Sequence, residues 1–168
     1  MSVANKLNPF DAELLSGFGK TVTFADLRSD PGRRPDKVAG VYAVLYPFDQ
    51  EPKYMPVGTG FSHKKKDPNV SLEELRERWV PDSRVLYFGK SGKKSHLRER
   101  VDDYSQFGLG SDTGHWGGRL IWQLEDSPSL LVCWKATLDG DEPKAAEHRL
   151  IRQFIGQYRK LPFANLAD

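Results

Sequence analysis

Cysteine is almost missing from this chain. The single residue, Cys133, lies in the apolar run Leu130-Leu131-Val132-Cys133-Trp134, so an intrachain disulfide and a thiolate metal cage are both excluded, and it reads as a small buried hydrophobe. Long apolar runs are missing too: no window approaches the ~18 consecutive apolar residues of a membrane span. Met1 to Phe10 has no basic start, apolar stretch or small-residue cleavage site of an export signal, so a cytoplasmic protein with no membrane partner is expected. Histidine is sparse. His63, His96 and His148 show no metal-ligand spacing and are expected on the surface. Internal repeats and low-complexity segments are also absent.

A strong charge of one sign is lacking overall, since 25 Lys and Arg against 23 Asp and Glu leave a net charge of +2. Divided along the chain, however, residues 61–100 carry 11 basic and 6 acidic side chains, whereas residues 101–168 carry 7 and 10. Phosphates respond to such local clustering rather than to the total. Lys64, Lys65 and Lys66 fit a solvated loop as well as a phosphate contact. Lys90, Lys93, Lys94, Arg98 and Arg100 crowd one short segment beside a glycine turn, which favours the phosphate reading. At 168 residues with 38% apolar content, a single domain with one core is expected.

Residues 1–37 have a mixed pattern and form an N-terminal extension to which no chemistry is assigned. Gly40 to Tyr46 (GVYAVLY), closed by Pro47, and Arg84 to Gly89 (RVLYFG) are β-branched and aromatic enough to be buried strands. The insertion between them, about residues 48–82, has structure of its own. Ser71 with Glu74 has the form of a capping box, and Leu72, Leu75 and Trp79 fall at helical spacing, which predicts a short helix over Ser71 to Trp79. Ser95 is the predicted cap of a helix through about Phe107 with Leu97, Val101 and Tyr104 on its apolar face. Gly118 to Leu124 is either a second helix or a short strand. Leu130 to Leu138 reads as a strand, Pro143 and Ala145 to Ile155 as a helix, and Leu161 to Asn165 as an extended tail. Trp116, Trp122 and Trp134 are expected in the core or at an interface. The order predicts a small α/β sandwich of the α+β kind, an antiparallel central sheet flanked by helices, with a core of about 38–168.

Phosphodiester cleavage needs a carboxylate for a divalent cation, cationic donors for the developing phosphorane charge, and a group to orient or deprotonate water. Glu147, Arg100 and Lys90, with Tyr42 and Tyr87 on the two strands, supply these types. Each has a plainer alternative: the tyrosines can be packing residues, and Glu147 can be an exposed helix carboxylate pairing with Arg149 or Arg152.

The sequence of motifs GVY, VLYFGKS, HLRERVDDY, a helix with an E-x-x-L-I core, and P-x-x-N resembles the GIY-YIG nuclease superfamily. Within it the catalytic module of the bacterial excision-repair incision subunit is the most similar. The resemblance spans roughly residues 38–168 apart from the insertion, and the order of the motifs is more specific than any one of them. It implies that Tyr42 and Tyr87 position the attacking water, with Tyr42 as general base. An ordinary phenol pKa of ~10 would then have to be lowered by neighbouring cations. It further implies that Arg100 stabilises the transition state, that Lys90 matches a lysine of the repair branch, and that Glu147 ligates Mg²⁺ or Mn²⁺. Asn165 would bond a phosphate or the framework. Tyr104 stands where restriction and homing members carry a histidine, and His115, in GHWGGR, is the candidate to replace it from a neighbouring loop.

The expected function is therefore a divalent-metal-dependent endonuclease acting on nucleic acid, DNA before RNA, that leaves a 5′-phosphate and a 3′-hydroxyl. Lys64, Lys65, Lys66, Lys93, Lys94 and Arg98 are its expected nucleic-acid contacts. Target choice would fall to the insertion, the N-terminal segment, a homodimer or a protein partner. The alternatives are a catalytically inactive nucleic-acid-binding module on the same fold and an enzyme acting on a different small substrate.

Overall fold

In the computed structural model, which describes residues 6–62 and 66–168, four strands form one antiparallel sheet. They are β1 (Val22–Thr23), β2 (Gly40–Leu45), β3 (Val85–Lys90) and β4 (Leu131–Ala136), in the spatial order β1-β4-β2-β3. Strand β2 pairs with β3 on one side and β4 on the other, so it is interior to the sheet, and every one of its residues is buried. Its unbroken apolar character is what burial on both faces requires. Five helices complete the α+β architecture among the described residues: α1 (Pro9–Leu14), α2 (Phe24–Ser29), α3 (Leu72–Arg78), α4 (Leu97–Phe107) and α5 (Pro143–Tyr158).

Side chains of β2 alternate between two hydrophobic layers. Val41, Ala43 and Leu45 face Ala146, Leu150, Ile151 and Phe154 of α5, while Tyr42 and Val44 face Leu97, Val101, Tyr104 and Phe107 of α4, with Phe24 and Trp122 beyond. A register shift between Val44 and Leu45 breaks the alternation in β3. Val85 pairs with Leu45 in the α5 layer, whereas Leu86 and Tyr87, consecutive in sequence, both join the α4 layer.

Local chemistry explains the element ends. Ser71 caps α3 by accepting from the Glu74 N–H at 3.1 Å, as its sequence predicts. The predicted cap of α4 is corrected by one residue: His96, through Nδ1, accepts from the Glu99 N–H, and the Ser95 hydroxyl instead accepts from the Gly92 N–H at 2.7 Å, closing the lysine turn. Residues 119–123 are neither α-helix nor strand but a 3₁₀ turn, entered through Gly118 at φ 78°. The last strand is shorter than expected, ending at Ala136, and α5 runs on to Tyr158. The expected extended tail is a turn, with the Asn165 N–H donating to the Pro162 carbonyl. The N-terminal extension holds α1, β1 and α2. Strand β1 is too short to leave a periodic signal, and it forms by pairing with β4.

The insertion folds against the core rather than standing apart from it. The buried amide of Gln123 donates to the carbonyls of Met55 and Val70 and accepts from the Val70 N–H, and Tyr54 bridges to Leu124. Among the described residues no helix is long and apolar enough to cross a membrane.

Candidate active site

Tyr42, Tyr87, Tyr104 and His115 form one aromatic cluster on the α4 side of the sheet. Cross-strand register opposes Tyr42 to Gly89 and Val44 to Tyr87, so both tyrosines point to the same face, with ring centroids 6.0 Å apart. The glycine is a packing requirement: a Cβ at Gly89 would overlap the Tyr42 ring, which lies across the neighbouring strand. His115 reaches in from the loop after α4 and stacks on Tyr104 at 4.0 Å with an interplanar angle of 2°. That loop can pass so close because Gly118 has φ 78° and no side chain, which would meet the Tyr104 hydroxyl and the Tyr87 ring.

The hydrogen bonds assign the protons. Nδ1 of His115 lies 2.8 Å from the Gly117 carbonyl, which can only accept, so Nδ1 carries a hydrogen. Burial, reinforced by the positive charge of Arg100, pushes the His115 pKa down to about 3, so the imidazole is neutral and Nε2 is bare. The Tyr42 hydroxyl donates to Nε2 at 2.5 Å. Burial also raises the Tyr42 phenol well above its ordinary range, followed by the effect of Tyr87 and opposed by Arg100. Tyr87 is raised for the same first reason, with Glu147 adding to it. The lowered phenol pKa that Tyr42 would need to act unaided as a base is therefore absent. What stands in its place is a short path from phenol to neutral imidazole.

Charged groups surround this cluster. Arg100 acts electrostatically on Tyr42, Tyr87, His115 and Glu147 alike, and Lys90 acts on Glu147. Glu147, half-buried on the second turn of α5, is raised by burial against the pull of Lys90, Arg100 and Lys144. It makes no hydrogen bond or ion pair within 4 Å to the described residues. The partners sequence would offer it are engaged elsewhere, Arg149 with Asp141 at 2.7 Å and Arg152 with Asp168 at 2.8 Å. Lys90 is likewise without an ion pair among the described residues. Among those residues Arg100 has only a loose one, to Asp103 at 3.7 Å. A lone carboxylate of this kind fits a cation that keeps most of its waters. No group of three or more His, Cys, Asp or Glu among the described residues would build a closed metal cage.

Other expected site residues fall elsewhere. Asn165 is buried and faces the backbone of β3: its Oδ1 accepts from the Phe88 N–H and its Nδ2 donates to the Phe88 carbonyl, both at 3.0 Å. It caps the free edge of β3 as a pseudo-strand, which is the framework role among the two expected for it. Tyr104 is fully buried, donates to the Gly118 carbonyl at 2.5 Å and supports the His115 ring that stacks on it. Arg98 uses Nε to hold the Pro35 carbonyl at 2.8 Å, which makes it a strut between α4 and the N-terminal extension. Lys93 and Lys94 are exposed on the turn after β3. Lys66 is exposed beside Trp116, while His63, Lys64 and Lys65 lie outside the described residues. Of the remaining histidines His148 is exposed and His96 serves as the α4 cap.

Arg119 escapes sequence reasoning, though the GHWGGR segment that contains it was the available signal. Its guanidinium lies 4.5 Å over the Trp116 ring. Comparison of the chain with protein-family models, with curated protein sequences and with solved structures found no match in any of the three.

Proposed function

We propose that this protein is a divalent-metal-dependent endonuclease of the GIY-YIG type, hydrolysing DNA phosphodiesters to 5′-phosphate and 3′-hydroxyl. The observation that carries the reading is the Tyr42–His115 hydrogen bond within reach of Arg100 and Glu147, beside a Lys90 that has no ion pair among the described residues. A purely structural tyrosine cluster gains nothing from half-buried charges left without close partners.

Glu147 would hold Mg²⁺ or Mn²⁺, which when bound supplies Lewis-acid polarisation of a phosphoryl oxygen. The protein's own groups account for the proton. A water at the tyrosine pair gives its proton to the Tyr42 oxygen as the Tyr42 proton moves to Nε2 of His115. The resulting hydroxide bonds to phosphorus, and the bond from phosphorus to the 3′-oxygen breaks. That oxygen is protonated to the hydroxyl product, with Lys90 the nearby donor. A substrate phosphate beside the cluster adds negative charge, which raises the proton affinity of His115 when the reaction needs it. Arg100 meets the charge that develops on the phosphorane.

The near-complete burial of Tyr42 and His115, each 1% exposed, favours one rival, a catalytically inactive nucleic-acid-binding module on the same fold. The test is incubation of the protein and of Glu147→Ala with supercoiled DNA, branched DNA and RNA in Mg²⁺ or Mn²⁺. Cleavage by the wild type alone supports the nuclease. Equal cleavage by both removes Glu147 from the chemistry, and salt-sensitive binding without cleavage favours the rival.

A further inference from the structure

Next to the tyrosine cluster the chain gathers a second set of cations. Trp116, half-buried between His115 and Gly117, packs edge-on against Phe107 with ring centroids 6.2 Å apart. Over the same indole lie the Arg119 guanidinium at 4.5 Å and the Lys66 ammonium at 5.7 Å. Neither cation forms an ion pair with a carboxylate among the described residues. The carboxylate whose charge acts on Arg119 is Glu74, and it is bound at 3.0 Å to Arg78, whose own positive charge also acts on Arg119. Among the described residues Nε of Arg119 is buried with no hydrogen-bond partner, and Nη1 has only a long contact to the Trp116 carbonyl at 3.4 Å.

These features are unfavourable for the protein alone. A buried N–H without an acceptor is destabilising, and like charges over one ring repel. An anion in contact with both cations would offset their mutual repulsion and give the outer guanidinium N–H groups of Arg119 an acceptor. The place is set by the loop: a Cβ at Gly117 would be 3.6 Å from the Tyr87 hydroxyl, so the strand of chain that seats Trp116 also borders the reacting cluster.

From this geometry we infer that Arg119 and Lys66, positioned by Trp116, form a seat for a backbone phosphate of the nucleic acid, flanking the one at Tyr87 and Arg100. This rests on the nuclease reading for the identity of the polyanion, but not on cleavage taking place. Lys66 comes from the insertion and Arg119 from the core, so the seat gives the insertion a direct part in substrate binding. Trp116 is a positioning residue that holds two donors in place by their cation–π contacts.

The test is binding of a short fluorescein-labelled DNA, single-stranded and duplex in parallel, measured by anisotropy in EDTA across a salt series. Relative to wild type, Arg119→Gln and Lys66→Gln should each reduce the slope of log affinity against log salt by about 1, whatever the DNA sequence. Trp116→Leu should lower affinity, while Arg119→Lys should keep the slope because it keeps the charge. Arg152→Gln, on the exposed side of α5, should change nothing. Thermal melting identifies any variant that fails to fold, and the exposed Lys66→Gln carries the test if Arg119→Gln does. Slopes equal to wild type in both Arg119→Gln and Lys66→Gln would overturn the seat, as would the absence of salt-dependent binding by the wild type. Glu147→Ala is run beside them. Binding that persists in it, with no cleavage by any protein, would remove the nuclease reading and leave the seat standing.

Discussion

Replacing His115 by phenylalanine should change the acid stability of the protein in a way that isolates one proton. In the folded state the imidazole has a pKa of about 3, against an ordinary 6.5 in the unfolded chain. Between those values the unfolded state binds the proton and the folded state does not, so stability is lost as pH falls. The loss is about 1.4 kcal/mol per pH unit across the window. From pH 7.5 to 4.5 it amounts to roughly 2–3 kcal/mol, a large share of a typical folding free energy of about 5–15 kcal/mol. Phenylalanine keeps the stack on Tyr104 but removes the acceptor of the Tyr42 hydroxyl, which costs about 1–3 kcal/mol near neutral pH. The wild type should therefore be the more stable protein at pH 7.5, and the two curves should converge and meet near pH 5. Urea unfolding followed by tryptophan fluorescence at a series of pH values measures both. Taking the difference between the proteins cancels the remaining titrating groups, including Glu147, whose raised pKa acts in the opposite direction. Parallel curves over this range would refute the reasoning, because they would mean that His115 protonates in the fold as readily as in the unfolded chain.

Arg100→Ala should lower the cleavage rate by on the order of 10²–10³ with little change in melting temperature, since its only ion pair among the described residues is the loose one to Asp103; single-turnover kinetics and calorimetry check the two halves. Gly89→Ala forces a methyl group into the Tyr42 ring and should destabilise by about 1–3 kcal/mol, measured by urea unfolding, with a wild-type Tm counting against the packing account. Asn165→Ala leaves the Phe88 N–H and carbonyl unpaired at the sheet edge and should cost about 2–4 kcal/mol from two lost bonds. The folded fraction of that variant should retain its activity, and selective loss of activity at unchanged stability would return Asn165 to the site.

Much of the architecture was legible because short-range patterns state it. The unbroken apolar run of β2, the serine that caps α3 and the proline-led α5 are local signals, and each element formed where its signal lies. The α4 cap moved by one residue because two polar side chains, Ser95 and His96, compete for neighbouring N–H groups, and only the closed turn around Gly92 decides between them. Strand β1 was illegible for a different reason. A two-residue strand exists only through its partner β4, and no local periodicity encodes a partner.

The candidate site divides along the same line. Residue types and their order single out Tyr42, Tyr87, Lys90, Arg100 and Glu147, because these are the kinds of group the proposed phosphodiester chemistry would use. The placement of His115 against Tyr42, separated by 73 positions in sequence, depends on a loop held by Gly118 and on the cross-strand register that turns Tyr42 inward. The same holds for the direction of each pKa, since burial is its first cause at both tyrosines and the histidine and is a property of the packed molecule alone. Asn165 shows the converse, a residue whose type suits phosphate but whose bonds the folded tail directs to the edge of β3. Sequence by itself determined the inventory of chemical groups and the main elements that carry them, because these follow from composition and local periodicity. Tertiary structure alone decided which groups meet, which are left without partners, and which proton each can hold, because those depend on contacts between distant segments and on the exclusion of water.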